Sequence, residues 1–208
     1  MWLTWLYCAT QVRSILIAVN SSPQQLEQFK NIQDPEKWKT YGGHTEKQHN
    51  IHVGLQEDVK TRWSSTHAML KRAWEMQDAV DKWIVALSTP EKYQSLKMLS
   101  LDWDCVKTLI DILEPFTVLT EALSNRQEPT INLAFGFYNL MFDHLEDWLE
   151  SCENNELLHG ALTAAHEKLT YYYSGTEDDY GFYYNLAAIL DPRFKMLNYA
   201  DKVSVILL

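Results

Sequence analysis

The chain has 208 residues, 46% of them hydrophobic, with 8 Trp, 11 Tyr, 7 Gly and 6 Pro. That length and apolar content support a sizeable buried core and exclude a disordered or low-complexity chain, while so few Gly and Pro leave room for long helices. The net charge of −10, with no basic tract of five or more residues, excludes a protein that grips duplex DNA by its overall charge, because phosphate contacts need clustered Lys and Arg.

The run MWLTWLYCATQVRSILIAV opens the chain. It lacks a basic leader and a small-residue cleavage site, carries Gln11 and Arg13 inside it, and sets Val12, Ile15, Leu16 and Val19 at helical spacing. A buried helix is expected there rather than a signal peptide or a membrane span. Ser22 then reads as a helix cap, with Pro23 at the first helical position and Gln25 placed to close a capping box. Leu26, Phe29 and Ile32 give that short helix its apolar face.

From residue 33 to about 56 the pattern dissolves into Asp34-Pro35, Gly42-Gly43 and scattered His, Lys and Glu, which reads as a long loop. The strongest periodicity follows: Trp63, His67, Leu70, Trp74, Val80, Ile84 and Leu87 predict one helix, capped by Ser64 or Ser65. Thr89-Pro90-Glu91 restarts a helix that runs to about Leu99. Ser100 or Asp102 opens another, with Val106, Leu109, Ile110, Leu113, Phe116 and Leu123 inward and a kink at Pro115.

Residues 125–130 form a turn, 131–150 a long helix, and 157–173 another that ends at Ser174-Gly175. After an acidic loop at 176–179 a last helix covers 180–190 and breaks at Asp191-Pro192. The tail VSVILL is strand-like but short. The fold class expected is mainly α, with little or no sheet: a helix at 1–20, a helical body over 21–200 interrupted by the loop at 33–56, and a tail at 201–208.

Candidate chemistry is sparse. Cys8, Cys105 and Cys152 form no CxxC pair, which excludes a disulfide framework or a zinc finger and suits a reducing compartment. Cys105 and Cys152 read as small buried hydrophobes. His44, His49 and His52 are spaced H-x4-H-x2-H, with Glu46 or Glu57 available as a fourth zinc ligand. With no Cys and no i,i+4 pair on a helix, a polar His-rich loop explains them better. His144, His159 and His166 fall on different helices and read as surface or half-buried.

Glu177, Asp178 and Asp179 are consecutive, so they cannot converge on one ion and read as a solvated loop. Tyr171, Tyr172, Tyr173, Tyr180, Phe182, Tyr183 and Tyr184 crowd around that loop. Stacking on single strands normally needs basic neighbours, so core packing or a face for another domain is the stronger reading. No Gly-rich phosphate loop, GxSxG or HExxH occurs.

Five phrases fall in order: SSPQQLEQFK (21–30), DVKTRWSSTHAML (58–70), LEPFTVLTEALS with EPTI (113–131), EKLTYYY (167–173) and AAILDPRFK (187–195). Together they resemble hAT-superfamily transposases, the class of maize Activator, over roughly residues 12–200. The resemblance implies the helical region inserted into an RNase H-like nuclease that cuts DNA with three carboxylates and two Mg²⁺ or Mn²⁺ ions. It places the first two aspartates upstream of these phrases and the closing glutamate downstream.

The family's Cys-x-x-His signature has no match: Cys8-Ala9-Thr10-Gln11 has Gln for His and lies too close to Ser21. The N-terminal BED-type finger and the C-terminal dimerisation segment are not matched either. The expectation is therefore a truncated transposon-derived protein, nuclear, with no catalytic residue, no cofactor and no membrane partner of its own. Its partners would be DNA, bound weakly, and further copies of itself or other transposase-derived subunits.

The resemblance also carries one functional position. The Trp of the Arg-Trp motif supports a base extruded from the DNA flank, which corresponds to Trp63 beside Arg62, with Lys60 and Arg72 as further DNA contacts. An indole face contributes ~1–3 kcal/mol per stacked base, and a guanidinium grips phosphate in two hydrogen bonds. The competing reading is that Trp63 opens the apolar stripe of its helix and packs in the core. At the level of the whole chain, the alternative to DNA binding is an α-helical scaffold for protein interactions.

Overall fold

Ser22 does what its place in the sequence requires. Its backbone is extended (φ −156°, ψ 155°), its hydroxyl accepts from the Gln25 N–H at 3.3 Å, and Pro23 follows at the first helical position. The reciprocal half of the capping box does not form: the Gln25 side-chain oxygen is buried and has no hydrogen-bond partner among the described residues. The structure, a computed structural model, describes residues 3–33, 54–59, 62–87, 90–124, 130–152, 155–174 and 181–191. Outside them lie most of the expected loop at 33–56, Lys60, His44, His49, His52, most of the turn at 125–130, the acidic run at 177–179, Tyr180, the LDPRFK phrase beyond Asp191, and the tail.

The described residues hold nine α-helices: α1 (Leu3–Val19), α2 (Pro23–Ile32), α3 (Trp63–Glu75), α4 (Gln77–Val85), α5 (Pro90–Leu96), α6 (Ser100–Leu123), α7 (Ala134–Ser151), α8 (Glu156–Ser174) and α9 (Gly181–Leu190). A 3-10 turn, Ile131–Leu133, precedes α7. No strand occurs among the described residues, so the body is all-α as the periodicity predicts. No helix among them is long and apolar enough to cross a membrane.

The single helix expected over 63–87 is two. Met76, buried and at φ −99°, ψ 14°, ends α3 by donating to the Arg72 carbonyl. It then starts α4 by accepting from Ala79 and Val80. Further on, α6 opens at Ser100, one of the two starts expected, and Asp102 steadies that start from inside the helix, its carboxylate accepting from the Leu99 N–H at 2.8 Å. Asn155 caps α8, its side-chain oxygen accepting from Leu158 at 3.1 Å.

The chain divides into two compact units, and the division falls inside α6 between Asp111 and Ile112. In the first, residues 3–111, α1 lies against α2, α3 and α5, and α2 against α4. Val12, Ile15, Leu16 and Val19 of α1 are all buried, as their spacing predicts, with Met69, Leu70, Ala73, Val80, Ile84 and Val106. At the centre Phe29 meets Trp83 edge-on, ring centres 6.2 Å apart. Two polar ties cross this core: Gln11 donates to the Ser95 carbonyl at 2.6 Å, and the Trp103 indole donates to Asp81 at 3.3 Å.

The second unit, from Ile112 onward, packs α7 along α8 and sets α9 against the 3-10 turn and α7. Phe137, Leu145, Leu158, Leu162 and Ala188 are buried in it, and ring edges add to that core. Tyr138 and Phe142 both meet Tyr173, with ring centres 5.3 and 5.7 Å apart, and Phe142 also meets His166 at 5.1 Å.

Pro115 does not end α6, which runs through it. Proline offers no N–H to the carbonyl four residues back and crowds that turn. Next to the vacated position the His144 imidazole hydrogen-bonds the Ile112 carbonyl at 3.1 Å and packs edge-on against Phe116. Asn132, buried, donates to the Asp191 carboxylate and ties the 3-10 turn to the end of α9.

Candidate nucleic-acid interface

Arg13 is the single charged residue of α1. Its guanidinium faces Asp58: Nε lies 3.0 Å from each carboxylate oxygen, and Nη2 lies 2.5 Å from Oδ2. The Thr66 hydroxyl donates to the same Oδ2 at 2.9 Å. The side chains are 17% and 5% exposed, so the pair is largely out of water and satisfied by hydrogen bonds rather than by solvent. The Arg13 hydrogen bonds hold the Asp58 carboxyl below its ordinary range against the opposing effect of burial, and Thr66 helps. Beside it, Asn20 donates to Glu57 at 3.1 Å. The segment before α3 and the first turns of α3 are thus both clamped to α1.

Ser65 completes the frame. Its hydroxyl accepts from the Val59 N–H at 2.9 Å, and its proton faces the carbonyls of Val59 and Arg62 at 3.0 and 2.8 Å. The Arg62 N–H donates back to Val59 at 2.8 Å. Arg62 is therefore the N-cap, with no side-chain cap bond, and Ser64 and Ser65 lie inside the helix rather than capping it.

What the frame presents is Arg62 and Trp63. Both are exposed, and Trp63 keeps 52% of its surface open, so it does not pack in the core. The reason is positional: the buried side of α3 begins only at His67 and continues through Met69, Leu70 and Ala73. Trp63, at the first helical position, precedes that contact. An exposed indole beside an exposed guanidinium offers a stacking face and a two-pronged phosphate donor.

Arg72 does not join them. Nine residues on, it stands about half a turn around the helix from Trp63, half-buried, with Nη1 3.4 Å from Glu75. Among the described residues no three His, Cys, Asp or Glu side chains are grouped to hold a metal ion.

Arg13, Asp58, Ser65 and Thr66 carry the site's geometry, and sequence reasoning passed over their roles. A lone cation within an apolar helix and an acid opening the DVKTRW phrase were the available signals. The cysteines hold a second surprise. Cys8 and Cys105, far apart in sequence, meet thiol to thiol; the Cys8 contact and burial together push the Cys105 thiol above its ordinary range. Cys152 is buried as expected, whereas Cys105 is only half-buried.

Residues 7–112 match the family model of the ZBED1 RNase-like helical domain, which coincides closely with the first unit. Across 89% of its length the chain is 31% identical to a Talaromyces stipitatus protein that goes by the name transcriptional regulator tpeD. It is 28% and 25% identical, over 90% of its length each time, to Zea mays proteins named AC transposase and AC9 transposase. The chain spans only about a fifth of these relatives, 18%, 21% and 23% of their respective lengths. No solved structure matches it.

Proposed function

The chain belongs to the family of the ZBED1 RNase-like helical domain and is related to the hAT transposases, and from that premise we propose that it is a DNA-contacting helical region of a transposase-derived protein. In this reading Arg62 holds a backbone phosphate and Trp63 stacks on an unpaired or extruded base. The observation that carries it is the exposure of Trp63 next to Arg62, on a helix start fixed by the Asp58–Arg13 pair and Ser65. Lys60, two residues before Arg62, belongs to the same proposed contact. Arg72 belongs to a different side of α3. A chain of net −10 binds DNA weakly and in a salt-dependent manner on so few cations.

We further infer that the chain does not itself cut DNA, that it holds no metal of its own, and that it acts in the nucleus. Strand cleavage by the purified 208-residue chain with Mg²⁺ or Mn²⁺ would reverse the first two inferences. Mobility shifts on hairpin DNA with an extruded flanking base test the binding. Trp63→Ala and Arg62→Ala are each expected to weaken the complex, Trp63→Ala by ~1–3 kcal/mol. Equal affinity for wild type and both variants would remove this function.

A second reading has its own support. Tyr171, Tyr172, Tyr183 and Leu190 are exposed in the second unit, which fits a scaffold that meets another protein or a second copy of itself. Light scattering after size exclusion tests it, a stable monomer counting against self-association.

A further inference from the structure

The first unit holds two cysteines from opposite ends of its chain. Cys8 opens the buried face of α1, one turn before Gln11 and Val12, and is 1% exposed. Cys105 lies in the second turn of α6, one turn after Asp102, and is half-buried. Both are free thiols. What brings them together is the packing of α1 against α5, where Gln11 donates to the Ser95 carbonyl at 2.6 Å and α6 opens shortly afterwards at Ser100.

The two thiols hydrogen-bond to each other, with the Asp102 carboxylate close enough to act on both. The Cys105 S–H donates to the Cys8 sulfur and draws the Cys8 thiol below its ordinary range, against burial and the Asp102 charge. One sulfur is thus ready to act as a nucleophile, and a second stands within its reach. The half-open side of Cys105 is the way in for a small reagent. Cys152, the third thiol, belongs to the second unit, where its sulfur donates to the Leu149 carbonyl at 3.6 Å.

We propose that Cys8 and Cys105 form a redox site, at which hydrogen peroxide converts the dithiol into a disulfide that ties α1 to α6 and stabilises the first unit. The Cys8 thiolate attacks one peroxide oxygen, the O–O bond breaks and hydroxide leaves, which gives a sulfenic acid. The Cys105 sulfur then attacks the Cys8 sulfur, the S–O bond breaks, and the Cys105 proton leaves with the oxygen as water. The hydroxide takes up the proton that Cys8 gave away. Two thiols and one peroxide therefore become one disulfide and two waters.

The cross-link closes a loop of about 100 residues containing α2 to α5, which restricts the unfolded chain. In a reducing compartment other thiols restore the dithiol, so the tie forms under peroxide and lapses afterwards. The site is separate from the Arg62–Trp63 contact, and either can fail without the other.

The test is thiol titration of the whole chain, denatured before and after a pulse of peroxide, with peptide mapping and thermal unfolding. The titre is expected to fall from three thiols to one, with a peptide joining Cys8 to Cys105, and to return to three with dithiothreitol. The oxidised chain should melt about 5–15 °C higher. Cys152→Ser should lose both of its remaining thiols to the disulfide. Cys105→Ser should form no internal disulfide, show no rise in melting, and leave a Cys8 sulfenic acid that dimedone traps.

A titre that stays at three, or a loss that dithiothreitol does not restore, overturns the proposal. So does a disulfide through Cys152 or between two chains. A Cys8–Cys105 disulfide that leaves the melting point unchanged overturns the stabilising tie. Should Cys105→Ser fail to fold, Cys152→Ser carries the decision, because a variant that keeps both thiols after peroxide is incompatible with the site.

Discussion

Among the described residues, ten of the eleven largest fully buried side chains belong to residues 3–111 (Trp83, Phe29, Met69, Leu70, Ile84, Val12, Val19, Val80, Val106 and Cys8), and Leu145 is the one beyond. The second unit is not poor in apolar residues. It joins Tyr138, Phe142 and Tyr173 by their edges and leaves Tyr171, Tyr172, Tyr183 and Leu190 at the surface. Aliphatic side chains on α1 to α4 close the larger of the described cores, whereas on α7 and α8 a smaller set (Phe137, Leu145, Leu158 and Leu162) is buried and large rings touch at their rims. The closed unit is also the one that the family model spans. The contrast assigns stability to the first unit and leaves the second with surface to offer.

The largest effect expected on that contrast is at Trp83. The ring is fully buried against Phe29, and its indole N–H has no hydrogen-bond partner among the described residues. Trp83→Ala leaves a cavity that the surrounding aliphatics fill only in part, with a loss near the top of the ~3–5 kcal/mol range in urea unfolding. Trp83→Phe gives up ring area but also an unpartnered donor, and should cost far less. A small loss for Trp83→Ala would mean that the first unit is not the stabilising one.

Next comes the Arg13–Asp58 pair. Arg13→Met strands a buried carboxylate, which costs roughly 3 kcal/mol, toward the lower end for buried pairs because Arg13 keeps some exposure. Its pH signature follows from the depressed Asp58 pKa. The stabilisation is complete above the ordinary value of 3.8 and is lost as pH falls through the lower folded value. Asp81 works the other way. Burial raises its pKa, so its contribution is present below 3.8 and is lost as pH rises through the folded value. Asp58→Asn should therefore flatten the acid limb of stability against pH. Asp81→Asn, which keeps an acceptor for Trp103, should raise stability at neutral pH. Urea midpoints from pH 2.5 to 7 separate the two, and an unchanged acid limb in Asp58→Asn would show that the pair is not formed.

These residues also mark where sequence was legible. Val12, Ile15, Leu16 and Val19 announce their burial by spacing alone, and Ser22-Pro23 announces a helix start, because both signals are local. Arg13 drew notice only as a charge inside an apolar run, since its partner lies 45 positions away on a segment with no periodicity. The break at Met76 was invisible because the apolar rhythm continues across it. Trp63 and Trp74 keep helical register with buried residues yet stand in the open. Register fixes only the side of the helix a residue is on, and whether another element covers that spot is a tertiary fact. The Cys8–Cys105 contact was hidden for the same reason as the ion pair.

A smaller effect is expected in the second unit at His144, where one side chain hydrogen-bonds the Ile112 carbonyl near Pro115 and packs against Phe116 and Trp148. His144→Ala removes about one hydrogen bond and two ring edges, for roughly 1–2 kcal/mol in urea unfolding. A loss as large as that of Trp83→Ala would erase the difference between the two units.

The smallest effect carries the other half of the contrast. Tyr171 and Tyr172 meet edge-on at 5.6 Å, and the Lys168 ammonium sits 4.9 and 5.0 Å from their ring centres. A cation over an exposed ring contributes only about 0.5–1 kcal/mol, and surface substitutions usually fall within about 0.5 kcal/mol. Tyr171→Ala and Tyr172→Ala, singly and together, should therefore leave the urea midpoint nearly unchanged. If these rings are a docking face, the double variant should shift self-association in light scattering while stability holds. If instead the double variant loses 2 kcal/mol or more, the rings belong to a core. The second unit would then be closed like the first, and the scaffold reading would lose the surface on which it rests.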